Sequence, residues 1–190
     1  MSLLINKKLW NTCASLAAGA LTVLAFSPYD YFLIPFFTLG LLFYQFRSSR
    51  TSMQAFSSGY FFGLGLFGAG VSWLHISINL FGGVSLSGAI LITLLLILFL
   101  SLYPAVSGWI IFRYRKCQTF IMLMLVMPAA WTLMEWCRSW IFTGFPWLNI
   151  GYTQTDSPMS GMAPILGVYG VGWLTAMTAG LFCLITIGRK

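Results

Sequence analysis

The sequence predicts an all-α protein: a polytopic bundle of about six transmembrane helices with irregular or re-entrant outer loops. Three observations predict it. Charged residues make up 7% of the chain, hydrophobic residues 59%, and the mean hydropathy is +0.88. An ordinary soluble domain carries about 25% charged residues, so this chain has too few to clothe a water-facing surface. Apolar runs close to the thickness of a bilayer recur along the whole chain. The basic residues fall between those runs in a regular alternation.

The first run covers 9–27 and follows Lys7 and Lys8. A positive start before an apolar stretch also describes a signal peptide. The run is long enough to span, and further spans come after it, so it reads as an uncleaved helix. Ser27-Pro28-Tyr29-Asp30 breaks it, because proline disfavours helical geometry in the residue before it. The second run, 31–46, carries Pro35 near its start, where proline is tolerated, and leads into a polar loop with Arg47 and Arg50. The third, 55–74, holds the pair Gly59 and Gly63, a spacing that lets two helix backbones approach closely. Its end, with Trp73, His75 and Ser77, has the composition of a membrane–water interface. The fourth, 87–112, is the most apolar, with a kink expected at Pro104, and closes on Arg113, Arg115 and Lys116. The fifth, 120–140, contains Glu135 and Arg138. An irregular stretch from Thr143 to Ser160 precedes the last run, 162–187, and Arg189-Lys190. The 190 residues read as one transmembrane domain.

The charges supply a topology. With the N-terminus in the cytoplasm and strict alternation, Lys7, Lys8, Arg47, Arg50, Arg113, Arg115, Lys116, Arg189 and Lys190 all face inward. These are nine of the ten basic residues. Asp30 and Asp156 face the opposite side. Basic residues accumulate on the cytoplasmic side of short loops, so both termini are expected inside.

Residues able to do chemistry are few. No basic stripe interleaved with aromatics appears, which excludes the usual nucleic-acid interface. Cys13, Cys117, Cys137 and Cys183 form no C-x-x-C pair and neighbour no His at ligand spacing, so no metal and no cofactor are expected. Asp30 and Asp156 are read as solvated loop acids, and His75 as an interfacial residue with a hydrogen-bonding partner. Glu135 and Arg138 stand three apart on one helix face. Two readings stay open for them: a structural ion pair, or an arginine that meets a lipid headgroup through its planar fork. The stretch from Gly144 to Tyr152 cannot be helical throughout. Irregular backbone at membrane depth is tolerated where it is buried in protein or lines a cavity. Trp73, Arg138, Trp147 and Tyr152 are the candidates for lining a lipid-accessible cleft; the alternative is an aromatic belt without a ligand.

A series of short stretches, in order, gives a resemblance. Leu24-Ala-Phe-Ser-Pro-Tyr-Asp30 comes first, then Gly70-Val-Ser-Trp-Leu-His-Ile-Ser77 with Phe81-Gly-Gly83, and Leu102-Tyr-Pro104. Pro128-Ala-Ala-Trp131 to Glu135-Trp-Cys-Arg138, Thr143-Gly-Phe-Pro-Trp-Leu148, Gly151-Tyr152 and Gly161-Met-Ala-Pro164 complete the series. Nearly the whole chain resembles the N-terminal membrane region of bacterial apolipoprotein N-acyltransferases. The resemblance implies the inner membrane as location and an acyl transfer that completes lipoprotein maturation. The donor would be a membrane phospholipid and the acceptor the amino group of the diacylglyceryl-cysteine that begins an apolipoprotein. In that family the nucleophilic Cys, its Glu base and a stabilising Lys belong to an extracytoplasmic nitrilase-like domain. None of the four Cys here matches that nucleophile, so no catalytic residue is assigned. The chain is therefore expected to be a truncated or split form that cannot form the acyl-enzyme alone. A separately encoded nitrilase-like domain is the expected partner.

Two other functions fit the residues less closely: a small transporter or channel whose broken segments near 75–87 and 143–160 line a pathway, and an inactive membrane scaffold remnant. Compartment-specific reporters fused to each end test the topology, and the expected outcome is that both report the cytoplasm.

Overall fold

The computed structural model describes residues 2–188, and the side chains of residues 9–186. Lys7, Lys8, Arg189 and Lys190, which enter the charge argument, lie outside the described side chains. The described residues are mostly helical, with no strand among them. The helices are α1 (Ser2–Thr22), α2 (Ile34–Ser48), α3 (Ser52–Gly70), α4 (Leu74–Gly82), α5 (Leu86–Leu100), α6 (Leu102–Arg113), α7 (Thr119–Arg138) and α8 (Ala163–Gly188). Among the described residues, three stretches are long and apolar enough to cross a membrane: Leu86–Arg113, Thr119–Arg138 and Pro158–Thr186. A fourth arises if α3 and α4, bent by 50°, make one broken span. Leu9–Ala25 is apolar but shorter, and α2 has 15 residues. The chain is thus an all-α membrane helix bundle with three to four spans long enough by themselves.

Local sequence sets the boundaries. Pro35 sits in the first turn of α2, where no N–H is required. Thr51 starts α3 by accepting a hydrogen bond from Gln54 N at 3.2 Å. Gly83, at φ +66°, closes α4 in the left-handed conformation. The expected kink at Pro104 appears as a break at Ser101, between α5 and α6. Pro104 has no N–H for the carbonyl four residues earlier. Pro128 acts in a similar way: the turn before it, Met122–Val126, widens to a π-helix inside α7. The residues after Trp73, whose composition is that of an interface, form the short helix α4. Its N-terminal His75 donates through Nδ1 to the carbonyl O of Ser72.

Packing is set by the small residues. Glycines in α3 meet a neighbour on each of two faces. A Cβ at Gly59 would overlap the carbonyl O of Pro104, and one at Gly63 would lie 2.7 Å from Ser101 Cα, both on the α5–α6 side. A Cβ at Gly65 would overlap the carbonyl O of Leu16 in α1. Lipid tails are as apolar as leucine, so such close approach, rather than hydrophobicity, holds helices together. Polar bonds add to it: Ser15 Oγ donates to Gln45 Oε1 at 2.5 Å and Thr22 Oγ1 to Thr38 Oγ1 at 2.8 Å, both joining α1 to α2. Phe43, Phe46, Phe62, Phe67, Met122 and Met127 fill the centre. The rings of Phe62 and Trp131 meet edge to face at 5.8 Å. Leu91, Leu94, Leu95 and Leu98 of α5 point outward, as lipid-facing residues do. Cys183 is buried in the core, Cys13 is exposed on α1, and all four cysteines are free.

Gly59→Leu and Gly65→Leu are expected to destabilise the detergent-solubilised protein by about 1–3 kcal/mol or more, as overpacking does. Gly68→Leu, on the same helix with open space around it, should change stability by less than about 0.5 kcal/mol. Thermal unfolding of the three variants measures this.

Candidate functional site

The irregular segment after α7 is held by two buried side chains. Arg138, 2% exposed, is the last residue of α7. Its Nη1 donates to the carbonyl O of Phe145 at 2.5 Å and to that of Trp147. Its backbone carbonyl accepts from Phe145 N at 2.8 Å. Glu135, one turn earlier, places Oε1 at 2.8 Å from Ile150 N, which donates to it. The two charged groups approach to 4.0 Å, Nη2 to Oε1. Arg138 also lies 5.3 Å above the Phe67 ring of α3. One helix end thus supplies donors for two carbonyls and acceptors for two amides of the same loop. Backbone groups without a partner away from water cost several kcal/mol each in a bilayer.

The turn between α7 and this loop is tight. Phe142, Thr143 and Gly144 have φ of +53°, +72° and +82°. At Gly144 any side chain would also overlap the carbonyl O of Ser139, so glycine is required there. Phe142 is pushed outward, 81% exposed, with its ring 5.6 Å from that of Phe99 in α5. Further along, Leu148 packs on Gly70 at the end of α3. Gln154 Nε2 donates to the carbonyl O of Phe32 at 3.0 Å. The loop is therefore tied to α3 and to the α1–α2 turn as well as to α7.

Two open spaces flank it. A cleft of about 690 Å³ is bordered by Trp73, Trp147 and Tyr152, by Leu148, and by Asp30 and Asp156. A groove of about 360 Å³ opens beside α5, between Leu96, Phe99 and Leu100 on one side and Ile141, Phe142 and Phe145 on the other, with Arg138 and Tyr103 in its wall. Phe145 belongs to the groove, and Pro146, Trp147 and Leu148 to the cleft. Residues 145–148 are therefore the partition between them, and Arg138 is what holds that partition.

Trp73, Trp147 and Tyr152 come together around one cleft, each about half exposed. Arg138 does not join them: its guanidinium is turned behind the partition, towards Glu135 and the loop carbonyls. Asp30 and Asp156, expected on one face as solvated loop acids, both border the cleft. The signal was present in their shared predicted side, but only the fold shows both on one rim. Phe142 and the groove were not foreseen; three consecutive left-handed residues are not legible from residue types when two of them are Phe and Thr.

An all-α bundle with small-residue helix contacts, an outward leucine face and a loop folded back between two open spaces defines an integral membrane helix bundle with a cleft at one end. Comparison with known proteins makes this specific. Residues 18–181 match the model of the apolipoprotein N-acyltransferase N-terminal domain. The chain is 44% identical to the apolipoprotein N-acyltransferase of Methylococcus capsulatus over 167 residues, 88% of this chain and 33% of that protein. It is 40% identical to that of Photobacterium profundum over 173 residues (91% and 33%) and 39% identical to that of Coxiella burnetii over 183 (95% and 37%). The chain belongs to the apolipoprotein N-acyltransferase family. It spans about a third of the length of these curated relatives.

Glu135→Gln keeps an oxygen acceptor for Ile150 N, whereas Glu135→Ala removes it. The alanine variant is expected to be less stable than the glutamine variant by about 1–3 kcal/mol, the cost of an unsatisfied buried donor, measured by thermal unfolding in one detergent.

Proposed function

We propose that this chain is the membrane domain of an enzyme that moves an acyl chain from a phospholipid to the amino group of the diacylglyceryl-cysteine at the start of an apolipoprotein. The observation that carries the reading is the partition 145–148, in a chain of this family. It separates an apolar groove open towards lipid from an aromatic cleft with two carboxylates on its rim. An acyl chain suits the first, and a charged amine suits the second. Holding both reactants next to one wall supplies proximity and orientation, the largest contribution a non-reacting domain makes to such a transfer.

In this reading the ester carbonyl passes first to a cysteine thiol, which releases a lysophospholipid, and then to the amine, which loses a proton and re-frees the thiol. The thiol, its base and the charge stabiliser come from the nitrilase-like domain that the resemblance implies, because nucleophilic catalysis needs all three within reach of one another. That domain docks over the cleft. The bundle sits in the bacterial inner membrane with its basic end in the cytoplasm and the cleft on the outer face. The 190 residues alone do not form the acyl-enzyme.

Expression in a strain that lacks apolipoprotein N-acylation tests this. The chain alone should restore none. Co-expression with a nitrilase-like domain of the same family should restore it, and Trp147→Ala with Tyr152→Ala should lower the restored level by at least about tenfold. A labelled thioester on the purified chain alone would overturn the division of labour.

A further inference from the structure

The end of the bundle opposite the cleft carries a second feature, which the acyl transfer does not use. Two loops meet there: one between α2 and α3, the other between α6 and α7. Arg47 Nη2 donates to Thr119 Oγ1 at 3.4 Å, and Arg115 Nη1 donates to the carbonyl O of Arg50 at 3.4 Å. Below them the helices touch closely: a Cβ at Gly108 of α6 would lie 2.6 Å from the carbonyl O of Ala55 in α3 and from Phe46 Cε1 in α2. The loops are thereby fixed side by side. Together they bring five cationic residues to one place: Arg47, Arg50, Arg113, Arg115 and Lys116.

No acidic side chain neutralises them. The chain has three acidic residues in all. Asp30 and Asp156 border the cleft and Glu135 is tied to Ile150, all at the other end. The length of α2, 15 residues, puts the two ends roughly 22 Å apart, well beyond the Debye length of about 8 Å in physiological salt. The inter-loop bonds go to a hydroxyl and a carbonyl, which leave the guanidinium charges intact. Arg113 lies 4.6 Å above the Trp109 ring and Arg115 4.5 Å above the Phe112 ring. Each ring covers one face of a guanidinium and leaves its edge donors free for an anion. Arg47 Nε is buried with no acceptor among the described residues. Five crowded cations beside a bilayer favour a counter-anion. Phosphate groups of lipids are the anions held at that depth, and Arg edges match phosphate oxygens two at a time.

We propose that the loops 47–51 and 113–119 form one binding site for the headgroup of an anionic phospholipid in the leaflet at that end of the bundle. The lipid would bridge the α2–α3 and α6–α7 turns and so hold the bundle closed on the side away from the cleft. This goes beyond the acyl-transfer reading and does not depend on it.

The full chain in mild detergent, exposed to equal amounts of dioleoylphosphatidylglycerol and dioleoylphosphatidylcholine, tests the proposal by native mass spectrometry. Retained adducts should favour phosphatidylglycerol at least about tenfold. Each lost basic residue is expected to weaken such binding about fivefold near a membrane surface. Arg50→Gln, Arg113→Gln and Arg115→Gln combined should therefore erase the preference, while the three Lys substitutions at the same positions should keep most of it. If the triple Gln variant does not fold, Arg113→Gln with Lys116→Gln, both exposed positions, should still reduce the preference measurably. Equal retention of the two lipids by the unaltered chain would overturn the proposal. So would an undiminished preference in a folded Gln variant, or full displacement of the lipid by millimolar inorganic phosphate, which would mark a free-phosphate site instead.

Discussion

A backbone that leaves helical geometry inside a bilayer must find hydrogen-bond partners within the protein, because lipid offers none. In this bundle Arg138 meets that requirement for the loop that matters most. One guanidinium nitrogen, Nη1, donates to two carbonyls that are two residues apart in the chain, while Nη2 faces Glu135. Glu135 serves the same loop from the acceptor side and keeps the arginine's charge company at 4.0 Å. A lone buried cation would be costly. With the carboxylate, the loop carbonyls and the Phe67 ring around it, the group is compensated on several sides. The cleft, the groove and the wall between them all inherit their shape from that arrangement.

The rest of the architecture supports the same loop from behind. Glycines on both faces of α3 draw α1 and the α5–α6 pair against it, and the end of α3 receives Leu148. The breaks at Ser101, at the π-turn before Pro128 and at Gly167 in α8 (φ +63°) interrupt otherwise long helices. Each shifts the register of the next helical segment without exposing the core. Two of these breaks stand next to a proline whose missing N–H accounts for them; for Gly167 the positive φ is what glycine permits.

Much of this was legible in the sequence. The low charge and the recurrent apolar runs pointed to the helix bundle, and Gly59 and Gly63 to close helix contact. The i, i+3 spacing of Glu135 and Arg138 put them on one face. The remainder turns on physics that residue types do not encode. Whether an apolar run is one span, a bent pair or a short helix depends on backbone angles at a few residues, such as Val71 at φ −124°, ψ 8°. Hence the separate helix α4 is not legible at the end of the third run, and among the described residues three to four stretches are long enough alone to cross. Arginine near a span suggests a headgroup, which groups Arg138 with the cleft aromatics. The fold instead directs its donors to the loop carbonyls seven and nine residues on. The groove depends on left-handed angles at Phe142 and Thr143, which no composition rule anticipates.

The most direct test of the account is amide hydrogen exchange across residues 139–155 in the solubilised protein. With Arg138 intact, the amides of Phe145 and Ile150 should be protected as strongly as loop hydrogen bonds in a packed core. In Arg138→Gln their exchange should quicken by at least about tenfold, the equivalent of about 1.4 kcal/mol in local opening, while α1 and α3 stay protected. Unchanged protection of that loop in a folded Arg138→Gln protein would contradict the claim that this one side chain holds the wall between cleft and groove.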